Sequence, residues 1–182
     1  MNGENIAIFG ERYSINSGIG SGMCGGTEII AYLCGTQQIY FAMDPSKPCL
    51  ISLPRIYDPR GSLTFVQDND QVPFKIARCY WTYDVPAGEA RGGHSHKEDM
   101  ELVVATSGCF NVNLYDGKTW LTYTLNRPFE GLYIPPGYWR TLDNFASGSV
   151  CLVMTSNVYD ESDYIRDYEE FKRTAAENDT RL

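Results

Sequence analysis

The stretch Gly88–Gly108, GEARGGHSHKEDMELVVATSG, carries both histidines of this chain, His94 and His96. It runs G-x5-H-x-H-x4-E-x6-G, with His94, His96, Glu101 and Gly108 at the marked places. Side chains two residues apart on a strand point the same way, so a strand here turns both imidazoles to one side. Imidazole and carboxylate both donate to metal ions. Imidazole also has its ordinary pKa near neutrality, which suits it to carry protons. Taken alone, the stretch reads as three-quarters of a metal site, with a proton-transfer site as the other reading.

Outward from it the pattern is that of an all-β domain. From Leu53 on, short runs rich in β-branched and aromatic residues (SLTFV, FKIARCYWTYDV, MELVVATSG, CFNVNLYDG, TWLTYTLN, GLYIPPG, SVCLVMTS) alternate with turn signals such as DPRG, YDGK, NRP and IPPG. That spacing predicts a sandwich or barrel. NVNLYDGKTWLTYTL reads as a hairpin with Asp116-Gly117 at its turn. In RCYWTYDVP, alternation puts Arg78, Tyr80 and Thr82 on one face and Cys79, Trp81 and Tyr83 on the other. The first of these faces suits either a polar cavity or solvent. Near the C-terminus, Tyr164, Ile165, Tyr168 and Phe171 recur at helical spacing after an acidic start, predicting a C-terminal helix or turns leading into one. Residues 1–52 have a different texture and are read as an extension of unassigned role. The domain is placed at 53–175, with a frayed tail over 176–182.

Composition narrows the function classes. At 182 residues the chain suits one domain, and a net charge of −8 disfavours general binding to nucleic acid or anionic membranes. An anionic small ligand would need a local arginine cluster, for which Arg60, Arg78, Arg91 and Arg140 are candidates. No apolar run is long enough to span a bilayer, and the N-terminus lacks the pattern of a signal peptide, so a cytoplasmic location is expected. The six cysteines form no C-x-x-C pair and are read mainly as small buried hydrophobes. GSGMCG, residues 20–25, matches a dinucleotide-binding glycine pattern, with a short helix (TEIIAYLCG), a strand (QIYFAM) and Asp44 following. No further βα units come after, so it is read as a surface loop.

The spacing around the histidines resembles the first motif of the cupin barrel. GLYIPPGYWRTLDN, residues 131–144, resembles the second, supplying Gly131, Pro135, Gly137 and Asn144. Where metal-binding cupins have a third histidine stands Arg140. A guanidinium stays protonated, offers no lone pair and would set a fixed cation beside the ion. No bound metal and no other cofactor are therefore expected.

DPRGSLTFV, VPFKIARCYWTYDVP, RGGHSHK, LNRPFEGLYIPPGYWRTLDNFASGSVCLV and YDESDYIRDYEEF together resemble the nucleotide-sugar 3,4-ketoisomerases, over about residues 53–172. The resemblance implies a cupin jelly roll, a homodimer, and a metal-free conversion of dTDP-4-keto-6-deoxyglucose to the 3-keto sugar. That product is the precursor of 3-amino-3,6-dideoxy sugars for surface polysaccharides or glycosylated natural products. Under this reading His96 and His94 carry protons, with the choice of carbon base between them open. Arg140 takes the place of a metal in stabilising an enediolate. Tyr80 and Tyr83 are candidates for proton relay or sugar contact, and Arg60, Arg78 and Arg91 for diphosphate or substrate contact. Glu101 orients a histidine or pairs with an arginine. The rival readings are a 3,5-epimerase or metal-dependent enzyme on the same scaffold, and a non-catalytic nucleotide-sugar binder.

Overall fold

The computed structural model describes residues 44–179 together with two short strands nearer the N-terminus. The chain forms two units, residues 1–42 and 43–182. Within the first, β1 (Asn5–Ile8) and β2 (Glu11–Ser14) pair as an antiparallel hairpin. The expected glycine loop at 20–25, the helix and strand after it, Cys24 and Cys34 lie outside the described residues.

The second unit is a barrel of two five-stranded sheets. One runs β10 (Trp120–Leu125), β9 (Phe110–Tyr115), β12 (Trp139–Asp143), β7 (Arg91–His96), β14 (Tyr164–Ile165). The other runs β3 (Cys49–Ser52), β11 (Glu130–Ile134), β8 (Glu101–Ser107), β13 (Val150–Thr155), β6 (Arg78–Tyr83). A two-stranded ribbon, β4 (Arg55–Asp58) with β5 (Gly61–Thr64), stands apart from both. Neighbouring strands are antiparallel throughout. This is the two-sheet arrangement that the cupin resemblance implies. The barrel begins upstream of the expected boundary at Leu53, because β3 pairs with β11 through Cys49–Tyr133 and Leu50–Leu132.

Alternation builds the core. Val112 and Leu114 of β9, Val103 and Ala105 of β8, Leu132 and Ile134 of β11 and Val153 of β13 meet between the sheets, with Phe110 stacked on Phe145. Cys151 belongs to this cluster, and burial pushes its thiol up to about 12, as fits a small buried hydrophobe. β8 is buried on both faces, because Val72 and Phe74 cover its outer residues Leu102 and Val104. The hairpin of β9 and β10 turns at Asp116, whose Oδ1 accepts from the amides of Lys118 and Thr119, both at 2.7 Å. Gly108 has φ +70°, and a Cβ there would lie 2.3 Å from Ser149 Oγ. That hydroxyl accepts from Cys109 N at 3.1 Å, so the close approach ties the turn after β8 to the chain entering β13.

The tail departs from the helical expectation at its start. Asp160 caps a 3₁₀ turn over Glu161–Asp163, and Tyr164 and Ile165 then pair with His96 and Ser95 of β7 as a strand. The helix α1 runs Tyr168–Asp179, past the expected start of the frayed tail, with Asp167 Oδ1 accepting from Glu170 N at 2.7 Å. Phe171 packs on Trp139 and Ile165. Among the described residues no helix is long and apolar enough to cross a membrane.

Candidate active site

The two glycines before the histidines decide where the imidazoles go. Across β7 and β12, Arg140 pairs with His94 but Thr141 pairs with Gly92, which leaves Gly93 unpaired in a bulge. Gly92 and Gly93 have φ of +84° and +74°, and a Cβ on Gly92 would lie 3.0 Å from the carbonyl oxygen of Arg140. His94 thereby stands beside Arg140. His96 is 0 % exposed, and its carbonyl accepts from Gly137 N at 2.8 Å. The rings of His94 and His96 meet edge-on, with centroids 5.1 Å apart, and Tyr164 packs against both at 5.1 and 4.3 Å.

Glu101, at the start of β8, ties the second sheet to this cluster. Its Oε2 pairs with Arg140 Nη1, and its Oε1 accepts from the Tyr80 hydroxyl at 3.2 Å. The same Oε1 lies 3.3 Å from His96 Nε2 without the alignment of a hydrogen bond. His96 Nδ1 lies 2.7 Å from Asp163 Oδ2. Arg78 reaches Asp99 at 3.5 Å, Thr155 Oγ1 at 3.4 Å and the Tyr164 hydroxyl at 3.4 Å.

Burial sets the charge states. Desolvation, then the Arg140 charge, push His94 down to about 3 and His96 down to about 4, so both imidazoles are neutral at pH 7. Burial pushes Tyr80 up to about 12, keeping its phenol protonated. It pushes Arg140 down to about 10, still a cation at neutral pH. Three buried nitrogens in this group have no hydrogen-bond partner among the described residues: His94 Nε2, His96 Nε2 and Arg140 Nε. Buried polar atoms are seldom left so; ordered water or a ligand completes them.

A stability prediction follows from the histidines. Unfolded, each titrates near its ordinary 6.5; folded, at about 3 and about 4. Between these values the unfolded chain binds protons that the folded chain refuses, so stability is lost as pH falls below about 6.5. At pH 5 the loss is about 2 kcal/mol for each histidine. Urea midpoints at pH 5 and pH 7.5 check it, and His94→Asn should remove about half of the difference.

The donor atoms of His94, His96 and Glu101 lie within 4.8 Å of one another, close enough to suggest a metal site. The donor set does not suit a divalent ion, because Glu101 is paired with Arg140 and the guanidinium brings its own positive charge to the place of the fourth ligand.

Of the residues singled out in the sequence, the barrel gathers His94, His96, Glu101, Arg140, Tyr80 and Arg78. Tyr83 is not in this cluster: it is 58 % exposed on the outer face of β6, opposite Tyr80, because one strand position separates inward from outward. Arg60 is also not at the cluster; it lies at the exposed tip of the β4–β5 ribbon, paired with Asp58 at 2.7 Å. Arg91 is exposed at the start of β7. Asp163 and Tyr164 were missed as site residues, since helical spacing absorbed the stretch that holds them.

Comparison with known proteins agrees with this geometry. The family model described as FdtA, WxcM-like C-terminal, matches residues 46–176. The chain is 39 % identical over 127 residues to a TDP-4-oxo-6-deoxy-α-D-glucose-3,4-oxoisomerase of Aneurinibacillus thermoaerophilus, covering 70 % of this chain and 91 % of that protein. Among solved structures, it is similar to a mutant of the 3,4-ketoisomerase QdtA from Thermoanaerobacterium thermosaccharolyticum in complex with TDP-4-keto-6-deoxyglucose. That match has a TM-score of 0.70, 35 % identity, and covers 71 % of this chain and 94 % of the other. It is also similar to the WlaRB TDP-quinovose 3,4-ketoisomerase from Campylobacter jejuni, with a TM-score of 0.67, 40 % identity, and coverage of 69 % and 97 %. The cupin barrel, its second motif and these likenesses agree: the chain belongs to the FdtA family of sugar 3,4-ketoisomerases.

Proposed function

We propose that this protein converts TDP-4-keto-6-deoxyglucose to the TDP-3-keto-6-deoxy sugar by moving protons between carbons 3 and 4. The observation that carries this reading is the trio of unpartnered buried nitrogens, two neutral imidazoles and one guanidinium. A ketosugar brings a C–H acid for a base and an oxygen for a cation.

The carbon-4 ketone acidifies the hydrogen on carbon 3. A neutral imidazole takes that proton, the electron pair forms the carbon–carbon double bond, and oxygen 4 becomes an enolate beside Arg140. The second imidazole takes the proton from the oxygen on carbon 3 and gives it to oxygen 4. The protonated first imidazole returns its proton to carbon 4 as carbon 3 becomes the ketone. Atoms balance and both histidines finish neutral. A ketone at carbon 3 is the group that an amination would consume.

The proposed partner is a second copy of the chain. Trp81 and Tyr83 are 60 % and 58 % exposed, opposite Leu152 and Val150 of β13. Beside them a largely apolar cavity of about 610 Å³ is lined by Phe65, Val66, Val104 and Met154. Apolar patches of this kind mark association surfaces. Sedimentation equilibrium should read twice the chain mass of 20.5 kDa.

The test of the reaction is incubation of chelator-treated protein with TDP-4-keto-6-deoxyglucose and NMR of the product. A 3-keto sugar is expected. Its absence, or activity restored only by added metal, overturns the reading.

A further inference from the structure

The two histidines are not equivalent, and the difference lies in what holds them. Asp163 Oδ2 lies 2.7 Å from His96 Nδ1, a separation that requires a proton between a ring nitrogen and a carboxylate oxygen. Its other oxygen, Oδ1, accepts from the amides of Lys97 at 3.1 Å and Glu98 at 2.8 Å. Its backbone carbonyl accepts again from Lys97 N at 3.0 Å. Asp163 is therefore clamped to the end of β7 through both carboxylate oxygens and its backbone carbonyl, and His96 cannot turn without breaking the clamp. Among the described residues no carboxylate lies within ion-pair reach of His94.

We propose that Asp163 is a positioning residue that fixes the Nδ1–H tautomer of His96, so that Nε2 presents its lone pair to the sugar. This rests on the isomerase reading and names a residue that sets the state of one of its histidines. With Nδ1–H donated to Asp163, the lone pair of Nε2 has no other use among the described residues. Once Nε2 takes a proton, the imidazolium lies between two carboxylates, Asp163 at 2.7 Å and Glu101 at 3.3 Å, which offset the Arg140 charge. His94 has no carboxylate hydrogen-bonded to its ring among the described residues and suits brief transfers between the sugar oxygens.

Asp163→Asn separates positioning from scaffolding. The Asn side-chain oxygen still accepts from the Lys97 and Glu98 amides, but its NH₂ now faces Nδ1 and drives the ring to the Nε2–H tautomer. With only two histidines in the chain, ¹⁵N NMR of the ring nitrogens reads the tautomer directly, with His94→Asn providing the assignment. The expected results are Nδ1–H at His96 in the parent protein and Nε2–H in Asp163→Asn. With that switch, kcat falls on the order of 10²–10⁴-fold while KM and the melting temperature change little. Nε2–H in the parent protein overturns the proposal, as does an Asn variant with parental kcat. If the variant fails to fold, the parent spectrum alone decides. A parent protein that makes no 3-keto sugar overturns the isomerase reading instead, and the tautomer measurement distinguishes the two failures.

Discussion

Replacing His96 by Asn is expected to lower kcat by about 10³-fold or more, with nucleotide-sugar affinity nearly unchanged. His96 is fully buried, its Nε2 is unpartnered, and its Nδ1 is held by Asp163. Asn retains a donor for Asp163 but offers no base of comparable strength, so the barrier rises by about 4 kcal/mol. His94→Asn should cost less, about 10- to 100-fold, because proton transfer between oxygens has alternatives that transfer from carbon lacks. A non-catalytic binder would show no turnover to lose. Steady-state kinetics alongside titration with TDP reads both quantities.

Arg140→Met is expected to cost about 3–5 kcal/mol of stability in addition to activity. Arg140 and Glu101 are 2 % and 1 % exposed and paired with each other. Removing the cation leaves Glu101 charged and buried, with the Tyr80 hydroxyl as its remaining hydrogen-bond donor among the described residues. Adding Glu101→Gln removes that uncompensated charge and should return most of the lost stability, as urea unfolding of the two variants will read. Activity should not return, because the cation beside the enolate oxygen is still missing; a loss of about 10²–10³-fold should persist in the double variant. A merely structural Arg140 would regain both together.

Much of this site was legible in the sequence. The two-residue spacing of His94 and His96 gave their common face, and the spacing to Glu101 and Arg140 gave partners on β8 and β12. Alternation in RCYWTYDVP separated Tyr80 from Tyr83, and the burial along β6 follows it. What stayed hidden depends on long-range pairing. The bulge at Gly92–Gly93 shows only against β12. Asp163 lies 67 residues from His96, and a local pattern of Tyr and Ile at helical spacing masked the two-residue strand that brings it there. β3 was missed because CLIS is too short to show its alternation outside the sheet.

The most direct test of the central claim is the conversion of TDP-4-keto-6-deoxyglucose in deuterated water, followed by NMR. A 3-keto product is expected, with carbon 4 carrying the proton that the imidazole took from carbon 3, or deuterium in the fraction that exchanges with solvent first, and with no deuterium at carbon 5. Deuterium at carbon 5 with the ketone still at carbon 4 would be the mark of a 3,5-epimerase and would contradict that claim.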